Sequence, residues 1–275
     1  QLIIVPDGFL HEIPFDVLMT AEPDEDAGWE SQPYLAKTYA TVYAPSAAIY
    51  LALRAKDNPR YDLDLVAFGD PDFSLLADGG DFNALPYARA EVAAISEDIK
   101  EKKRDVRLGA DANEVALKQL MNGGSSRTLH LATHGLVNPV EPALSSVVLC
   151  PDPAGVEDGY LRTMEILSMS TDAGLVVVSA CESALGRVSR GEGVVGLSRA
   201  FIASGAGGVV ASLWAVSDQS TSVLMKEFYK NMLGKKRPAG RAMREAKSKL
   251  IDDDKYAHPF YWSAFIVIGT DQSPW

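Results

Sequence analysis

The chain has 275 residues, of which 47% are hydrophobic, enough to fill the core of one large domain or two small ones. Its formal net charge of -11 argues against a nucleic-acid backbone or an anionic membrane surface as the main partner. Two cysteines cannot build a disulfide framework for a chain of this size, and neither a signal peptide nor an 18-residue apolar span is present. We therefore expect a cytoplasmic protein. Because the chain opens without methionine, inside a strand-like run, we also expect it to be a piece of a longer protein.

Apolar strand-like runs alternate with amphipathic helical stretches in chain order. Strands are predicted within residues 1–8, 38–46, 63–73, 105–112, 126–135, 145–153, 174–181 and 207–214, and helices within 46–56, 87–101, 113–121 and 193–204. Asn113 has the character of a helix N-cap, and Gly123 and Gly124 that of a helix stop. Strands that are apolar throughout and separated by helices predict an α/β fold with a mostly parallel sheet covered on both faces.

Two reactive side chains follow predicted strands of this sheet. His134 ends the run "TLHLAT", and Cys181 ends the run "LVVVSA", 47 positions further along the chain. If these strands are parallel neighbours, both residues emerge at the same edge of the sheet, where functional groups gather in such folds. An imidazole can take the proton of a nearby thiol and later protonate a leaving amine, so the pair predicts a nucleophilic cysteine.

The same turns can supply the hydrogen-bond donors that a tetrahedral intermediate needs. Gly135 directly follows the histidine and has no Cβ, so its N–H group can come close to a substrate oxygen. The backbone N–H of Cys181 is the second predicted donor of this oxyanion hole. Removing one such donor typically adds about 3 kcal/mol to the reaction barrier.

Each of these residues also has a structural interpretation. A buried cysteine at a strand end usually serves packing, and we expect that role for Cys150, which ends "SSVVLC". His134 on its own could equally be a packed histidine. A metal site built from His130 and His134 is a further alternative, although paired metal-binding histidines four residues apart usually lie on a helix.

A nucleotide-binding loop is the strongest competing interpretation. Residues 191–196, "GEGVVG", match G-x-G-x-x-G before a helix, and Asp218 follows 22 residues later. The dinucleotide fingerprint needs its first glycine at the strand end, whereas residues 181–190 intervene here. A P-loop is disfavoured because Glu192 replaces the required lysine, and no G-x-S-x-G elbow of a serine hydrolase is present.

Several motifs in order resemble the CHAT family of caspase-like cysteine peptidase domains, which are related to separases and commonly joined to tetratricopeptide repeats. The motifs are "HLATHG", "VVVSACESALG" and "GEGVVGLSRAFIASGAGGVVASLWAVSDQST", with a matching opening stretch, "LIIVPDGFLHEIPFDVL", and a matching closing stretch, "HPFYWSAFIVIG". The resemblance covers nearly the whole chain. It implies one caspase-like domain over residues 1–275, with a mostly parallel central sheet and helices on both faces.

The resemblance also implies roles for individual residues. The family histidine falls on His134, the oxyanion glycine on Gly135 and the nucleophile on Cys181. Where the family usually has "SACET" this chain has "SACES", so that Ser183 is a mild departure. The implied reaction is hydrolysis of a peptide bond in a protein substrate through an acyl-enzyme, and no cofactor or metal is implied.

Substrate preference rests on a pocket that the resemblance maps onto two segments. In caspase-like folds this pocket is lined by the strand before the nucleophile, here Ser179 and Ala180, and by the loop after the next strand, here with Asp218. An acidic Glu182 or Asp218 in the pocket would favour Lys or Arg, as in separases, through a charge-assisted hydrogen bond. Asp218 could instead cap the helix that follows it.

Family members are often switched by an attached repeat or sensor domain, and no 34-residue repeat occurs within this chain. We therefore expect a protein or peptide substrate and a regulatory tetratricopeptide-repeat or sensor domain, in cis or in trans, without direct nucleic-acid or membrane contact. The alternative is a caspase-like binding scaffold that is inactive in isolation.

Self-cleavage is the first testable expectation. Arg187 and Arg190 lie among small residues in the stretch after Cys181, which predicts an exposed loop that contacts substrate or is cut by the enzyme itself. Prolonged incubation of the active protein should then give two fragments whose mass places the cut after one of these arginines, whereas Cys181→Ala should stay whole. A single intact band from the active protein would count against self-cleavage.

Overall fold

Strands and helices alternate along the chain as the sequence predicts. The computed structural model describes residues 1–56, 60–77, 82, 85–138, 140–152, 154–179, 181–182 and 192–270. Its strands are β1 (Leu2–Ile4), β2 (Thr41–Tyr43), β3 (Leu65–Pro71), β4 (Arg104–Gly109), β5 (Thr128–Ala132), β6 (His134–Leu136), β7 (Ser146–Val148), β8 (Tyr160–Arg162), β9 (Leu175–Val178), β10 (Cys181–Glu182), β11 (Gly208–Ser212) and β12 (Phe265–Gly269). Its helices are α1 (Leu35–Thr38), α2 (Ala47–Ala55), α3 (Ala88–Ser96), α4 (Glu114–Gly123), α5 (Thr163–Ser168), α6 (Glu192–Ala203), α7 (Asp218–Tyr229), α8 (Ala239–Ile251) and α9 (Pro259–Trp262).

The central sheet has eight strands in the order β1-β2-β12-β11-β9-β5-β3-β4. Every neighbouring pair is parallel except β11 and β12, so the prediction of a mostly parallel sheet is confirmed. Strands β5 and β9 lie side by side, with His130 opposite Val177. The strands that precede His134 and Cys181 are therefore parallel neighbours, which is the arrangement that the site prediction required.

Helices cover both faces of the central sheet. Along β9, Val177 packs into a core that holds the buried faces of α3, α7 and α8. Val176 and Val178 point the other way, into a second core with residues of α4, α5 and α6. Successive side chains of a strand point to opposite faces, so an uninterrupted apolar run is what a sheet buried on both sides requires. None of the helices among the described residues is long and apolar enough to cross a bilayer.

The predicted strand over residues 126–135 is two strands, because the chain leaves the central sheet at Thr133. The Thr133 hydroxyl is buried and donates a hydrogen bond to the carbonyl oxygen of Val148. Beyond this point β6 joins a second sheet of four strands, in the order β10-β6-β7-β8. This small sheet extends from the carboxyl edge of the central sheet and carries the predicted dyad.

Local sequence signals explain how the flanking elements begin and pack. The Asn113 side chain accepts a hydrogen bond from the Ala116 amide at 2.9 Å, so the predicted N-cap of α4 is confirmed. A Cβ at Gly69 would lie 2.6 Å from the Val92 Cγ2, so glycine lets α3 approach β3 closely. Cys150 is fully buried, and burial raises the pKa of its thiol, as expected for a packing residue.

A buried ion pair ties the N-terminal segment to α8. The Lys247 ammonium donates to the Asp16 carboxylate, and both residues are at most 3% exposed. The second Asp16 oxygen accepts a hydrogen bond from the Thr41 hydroxyl at 2.5 Å. These contacts join the segment after β1, the strand β2 next to the sheet edge, and α8, so they fix one end of the central sheet.

Breaking this pair should destabilise the fold. Lys247→Met leaves the Asp16 carboxylate buried without its cation, which typically lowers the free energy of unfolding by about 3–5 kcal/mol. Urea unfolding of Lys247→Met, with the exposed Lys249→Met on the same helix as the control, measures the difference. Adding Asp16→Leu to Lys247→Met should recover much of the loss. If Lys247→Met is as stable as the control Lys249→Met, the ion pair contributes nothing.

Candidate active site

The two predicted catalytic residues meet in the small sheet. Strand β10 pairs with β6 in parallel, and its register sets Cys181 opposite His134 and Glu182 opposite Gly135. Neighbouring strands lie about 4.8 Å apart, so the two backbones are adjacent although 47 positions separate them in sequence. The side chains of Cys181 and Glu182 and the whole of Ala180 lie outside the described residues.

Aromatic rings enclose the His134 imidazole. The Phe73 ring centroid lies 4.9 Å from that of His134, and the Phe82 ring stacks on it at 5.3 Å with an interplanar angle of 29°. His134 is only 3% exposed. The two rings pack against the imidazole and contribute to its burial.

Gly135 lies between β10 and β7 in the small sheet. It is buried and pairs with Glu182 on one side and with Val147 on the other. Its role as an oxyanion donor, together with the Cys181 amide, remains a prediction.

Ser179 follows β9 directly and is buried at 6% exposure. Its amide donates to the Leu131 carbonyl at 2.9 Å, which extends the pairing of β9 with β5. Its hydroxyl has no hydrogen-bond partner among the described residues.

Asp218 is the first residue of α7, and its carboxylate caps a different helix. Its Oδ2 accepts a hydrogen bond from the Tyr87 amide at 2.9 Å, immediately before α3. The expectation that it caps the helix that follows it is wrong, because Ser217 is the N-cap of α7 and Asp218 reaches across to α3. Loss of solvent and the charge of Glu91 raise the pKa of Asp218, whereas the Tyr87 amide and His134 lower it, so Asp218 lies within electrostatic range of His134.

His130 does not face the site. Its Nε2 lies 2.9 Å from the Glu91 Oε1, and its Nδ1 lies 3.1 Å from the Tyr229 hydroxyl. Both ring nitrogens are thus taken by protein groups, and the alternative of a metal site shared by His130 and His134 is wrong. Sequence reasoning missed this network; its one local signal is that Glu91 lies four residues before Ile95, on the apolar face of α3.

An acidic cluster elsewhere has the ligand types of a cation site. Glu114, Glu157 and Glu165 place carboxylate oxygens within 4.8 Å of one another. The Lys118 ammonium already lies 2.9, 2.6 and 2.7 Å from these three carboxylates. A protein cation therefore neutralises the cluster.

The nucleotide-loop alternative fails on the element boundaries. Strand β9 ends at Val178, and α6 begins at Glu192, so no glycine-rich turn joins the strand directly to the helix. Residues 183–191, including Arg187 and Arg190, lie outside the described residues.

Comparison with known proteins places the chain in a family. The model of the CHAT domain family matches residues 1–270. The chain belongs to the CHAT family. Tetratricopeptide repeat protein 28 of mouse and of human are 24% and 25% identical to this CHAT chain over 98% of its length. The match takes up only 12% of each of those proteins.

Two solved structures show the same fold. The separase of Saccharomyces cerevisiae, in its complex with securin, superposes with a TM-score of 0.57 at 15% identity, over 95% of this chain and 15% of that one. The Arg-specific cysteine proteinase gingipain R superposes with a TM-score of 0.54 at 11% identity, over 85% of this chain and 54% of that one. The CHAT chain therefore has a caspase-like fold, as predicted, and at these identities the likeness extends to the fold alone.

The charge of Asp218 should weaken the fold at neutral pH. Its pKa is raised above the ordinary value of 3.8, so the folded state favours the protonated carboxyl. The stability of the fold is therefore highest below that pH, and part of it is lost as the pH rises through the pKa of the folded state. Asp218→Asn keeps an oxygen for the Tyr87 amide but removes the charge. The unfolding free energy of this variant, relative to wild type, should therefore increase between about pH 3 and about pH 7.

Urea unfolding at several pH values measures this change. The exposed Asp254→Asn is the control and should give a flat difference. An Asp218→Asn variant that becomes relatively less stable as the pH rises would contradict the assignment.

Proposed function

We propose that this CHAT domain is a cysteine endopeptidase that cleaves protein substrates through a Cys181–His134 dyad. The observation that carries the proposal is the parallel register of β10 on β6, which sets Cys181 directly opposite His134. Strand-end placement on a caspase-like sheet and the nearby charge of Asp218 support it.

The proposed reaction has two steps. His134 takes the proton of the Cys181 thiol, the sulfur attacks the carbonyl carbon, and the amides of Gly135 and Cys181 stabilise the oxyanion. The tetrahedral intermediate collapses, the C–N bond breaks, and the imidazolium returns its proton to the leaving amine. Water, activated by the same imidazole, then hydrolyses the thioester and restores the thiol.

We infer that the residue before the scissile bond is Lys or Arg. Asp218 supplies a carboxylate within electrostatic range of His134, and one of its oxygens is already oriented by the Tyr87 amide. The Ser179 hydroxyl, which has no hydrogen-bond partner in the described part of the chain, adds an acceptor two residues before Cys181. A guanidinium or ammonium group would gain charge-assisted hydrogen bonds from these groups. Ala180 and Glu182 complete the proposed pocket.

A second candidate function is a protein-binding scaffold that is silent until a partner acts. The burial of His134 under Phe73 and Phe82 favours this form of the site when the domain is alone. The named relatives are tetratricopeptide repeat proteins, so we infer that a repeat or sensor domain, in cis or in trans, opens the site.

A peptide library tests the proposal. Wild type should cleave after Lys or Arg, and Cys181→Ala or His134→Ala should lose on the order of a thousandfold or more in kcat/KM. Asp218→Asn should remove most of the preference for Arg over Met before the scissile bond and leave slow cleavage after Met unchanged. Asp254→Asn serves as the matched control.

The same assay, run on the chain alone and on a longer native form that carries a repeat domain, separates the two functions. Turnover by the longer form only would establish autoinhibition of a peptidase. Equal turnover by wild type and Cys181→Ala would refute the dyad. Peptide binding without turnover by every form would establish the scaffold.

A further inference from the structure

Three buried ionisable side chains contact one another at β5, the strand that leads to His134. Glu91 on α3, His130 on β5 and Tyr229 at the end of α7 are 1%, 0% and 2% exposed. The His130 imidazole lies between the other two, 2.9 Å from the Glu91 Oε1 and 3.1 Å from the Tyr229 hydroxyl. The imidazole and phenol rings meet edge to face, with centroids 5.4 Å apart.

The chemistry of the three groups assigns their protons. Burial, and then the Glu91 charge, raise the pKa of Tyr229 well above its usual value, so the phenol stays protonated. Its hydroxyl then donates a hydrogen bond to the His130 Nδ1. The proton of a neutral imidazole is then on Nε2, against the Glu91 carboxylate. The Glu91 Oε1 and the His130 Nε2 are within ion-pair distance of each other but do not form a well-aligned hydrogen bond, whereas Tyr229 and the His130 Nδ1 do. All three side chains are closed to solvent, so none of them can touch a substrate.

The network joins the elements that carry the proposed site. Helix α7 is held to α3 at both ends: its first residue, Asp218, accepts from the Tyr87 amide, and its last residue, Tyr229, reaches Glu91 through His130. The Glu91 amide donates to the Tyr87 carbonyl at 2.7 Å, so the two attachments are one helical turn apart on α3.

The third element of the network leads directly to the dyad. His130 lies on β5, and four residues later the chain reaches His134 in β6. A shift of α3 or α7 relative to β5 therefore changes the placement of Asp218 relative to His134.

Stability alone does not account for a carboxylate and an imidazole in this position. Apolar side chains of similar volume would fill the same space without the loss of hydration, and replacing buried ionic groups in this way is often neutral or stabilising. The hydrogen bonds from Tyr229 to His130 and from the Tyr87 amide to Asp218 are directional, however, and the Glu91–His130 ion pair adds an attraction between α3 and β5. Together they restrict the placement of α3 and α7 on β5 in a way that apolar contacts do not.

We propose that Glu91, His130 and Tyr229 are positioning residues that set Asp218 against His134 and thereby determine the preference of the site for a cationic substrate side chain. This inference rests on the proposed peptidase function. It assigns substrate selectivity in part to groups that make no contact with the substrate.

The test compares the same chemical change at two buried tyrosines. Tyr229→Phe removes the donor to His130, whereas Tyr34→Phe removes a hydroxyl that is equally buried but packs against Trp262, away from the site. Glu91→Gln is the second variant, because it keeps an acceptor for the His130 Nε2 and removes the charge. The readouts are the ratio of kcat/KM for Arg and Met peptides and the ring ¹⁵N chemical shifts of His134, which are readily assigned because the chain has four histidines.

Tyr229→Phe and Glu91→Gln should each lower the Arg/Met ratio about tenfold and shift the His134 ring signals, because small displacements at a site have large effects on rate. Tyr34→Phe should change the ratio less than about twofold and leave those signals in place. If Tyr229→Phe and Glu91→Gln fold but match Tyr34→Phe in both readouts, the network is only structural.

The two proposals fail separately. Absence of Cys181-dependent turnover in wild type would refute the peptidase. The His134 ring signals need no turnover and still decide whether the network positions that residue.

Discussion

The proposed site depends on one short stretch of parallel backbone pairing, between β6 and β10. Each of these strands continues a strand of the central sheet, β5 or β9, after the chain has left it. Because β5 and β9 are parallel neighbours, both continuations emerge on the same side and can pair again. A second pairing of two residues brings Cys181 opposite His134. Strand β7, on the other side of β6, supports a contact that is too short to be stable alone.

Helix α3 holds two acidic side chains in place near this pairing, one through its N-terminal amide and one as its own residue. Its N-terminus orients the Asp218 carboxylate through the Tyr87 amide, and its first turn carries Glu91 into contact with His130. Two acidic groups are therefore attached to the same helix turn in a chain of net charge -11, and one of them, Asp218, lies within electrostatic range of His134. Keeping Asp218 charged in a partly buried position opposes folding, and such strained charge is typical of functional sites.

The fold and the site place different requirements on the sequence. At 15% and 11% identity, separase and gingipain R share the sheet of this CHAT domain, because a layered core requires apolar strands and helix faces but few particular residues. The site requires particular residues at particular strand ends. Function is therefore proposed from His134, Cys181 and Asp218, and not from the shared sheet.

Local pattern in the sequence determined the fold class and the dyad. Apolar runs between amphipathic helices predict a buried parallel sheet, and His134 and Cys181 stand where two of those runs end. Tertiary structure alone decided the break at Thr133, the partner of Asp218 and the contacts of His130. Periodicity reports which face of an element is buried, but it does not report which distant element meets that face. Asp218 and Tyr87 are 131 positions apart and form a hydrogen bond only because α7 and α3 pack on the same face of the sheet.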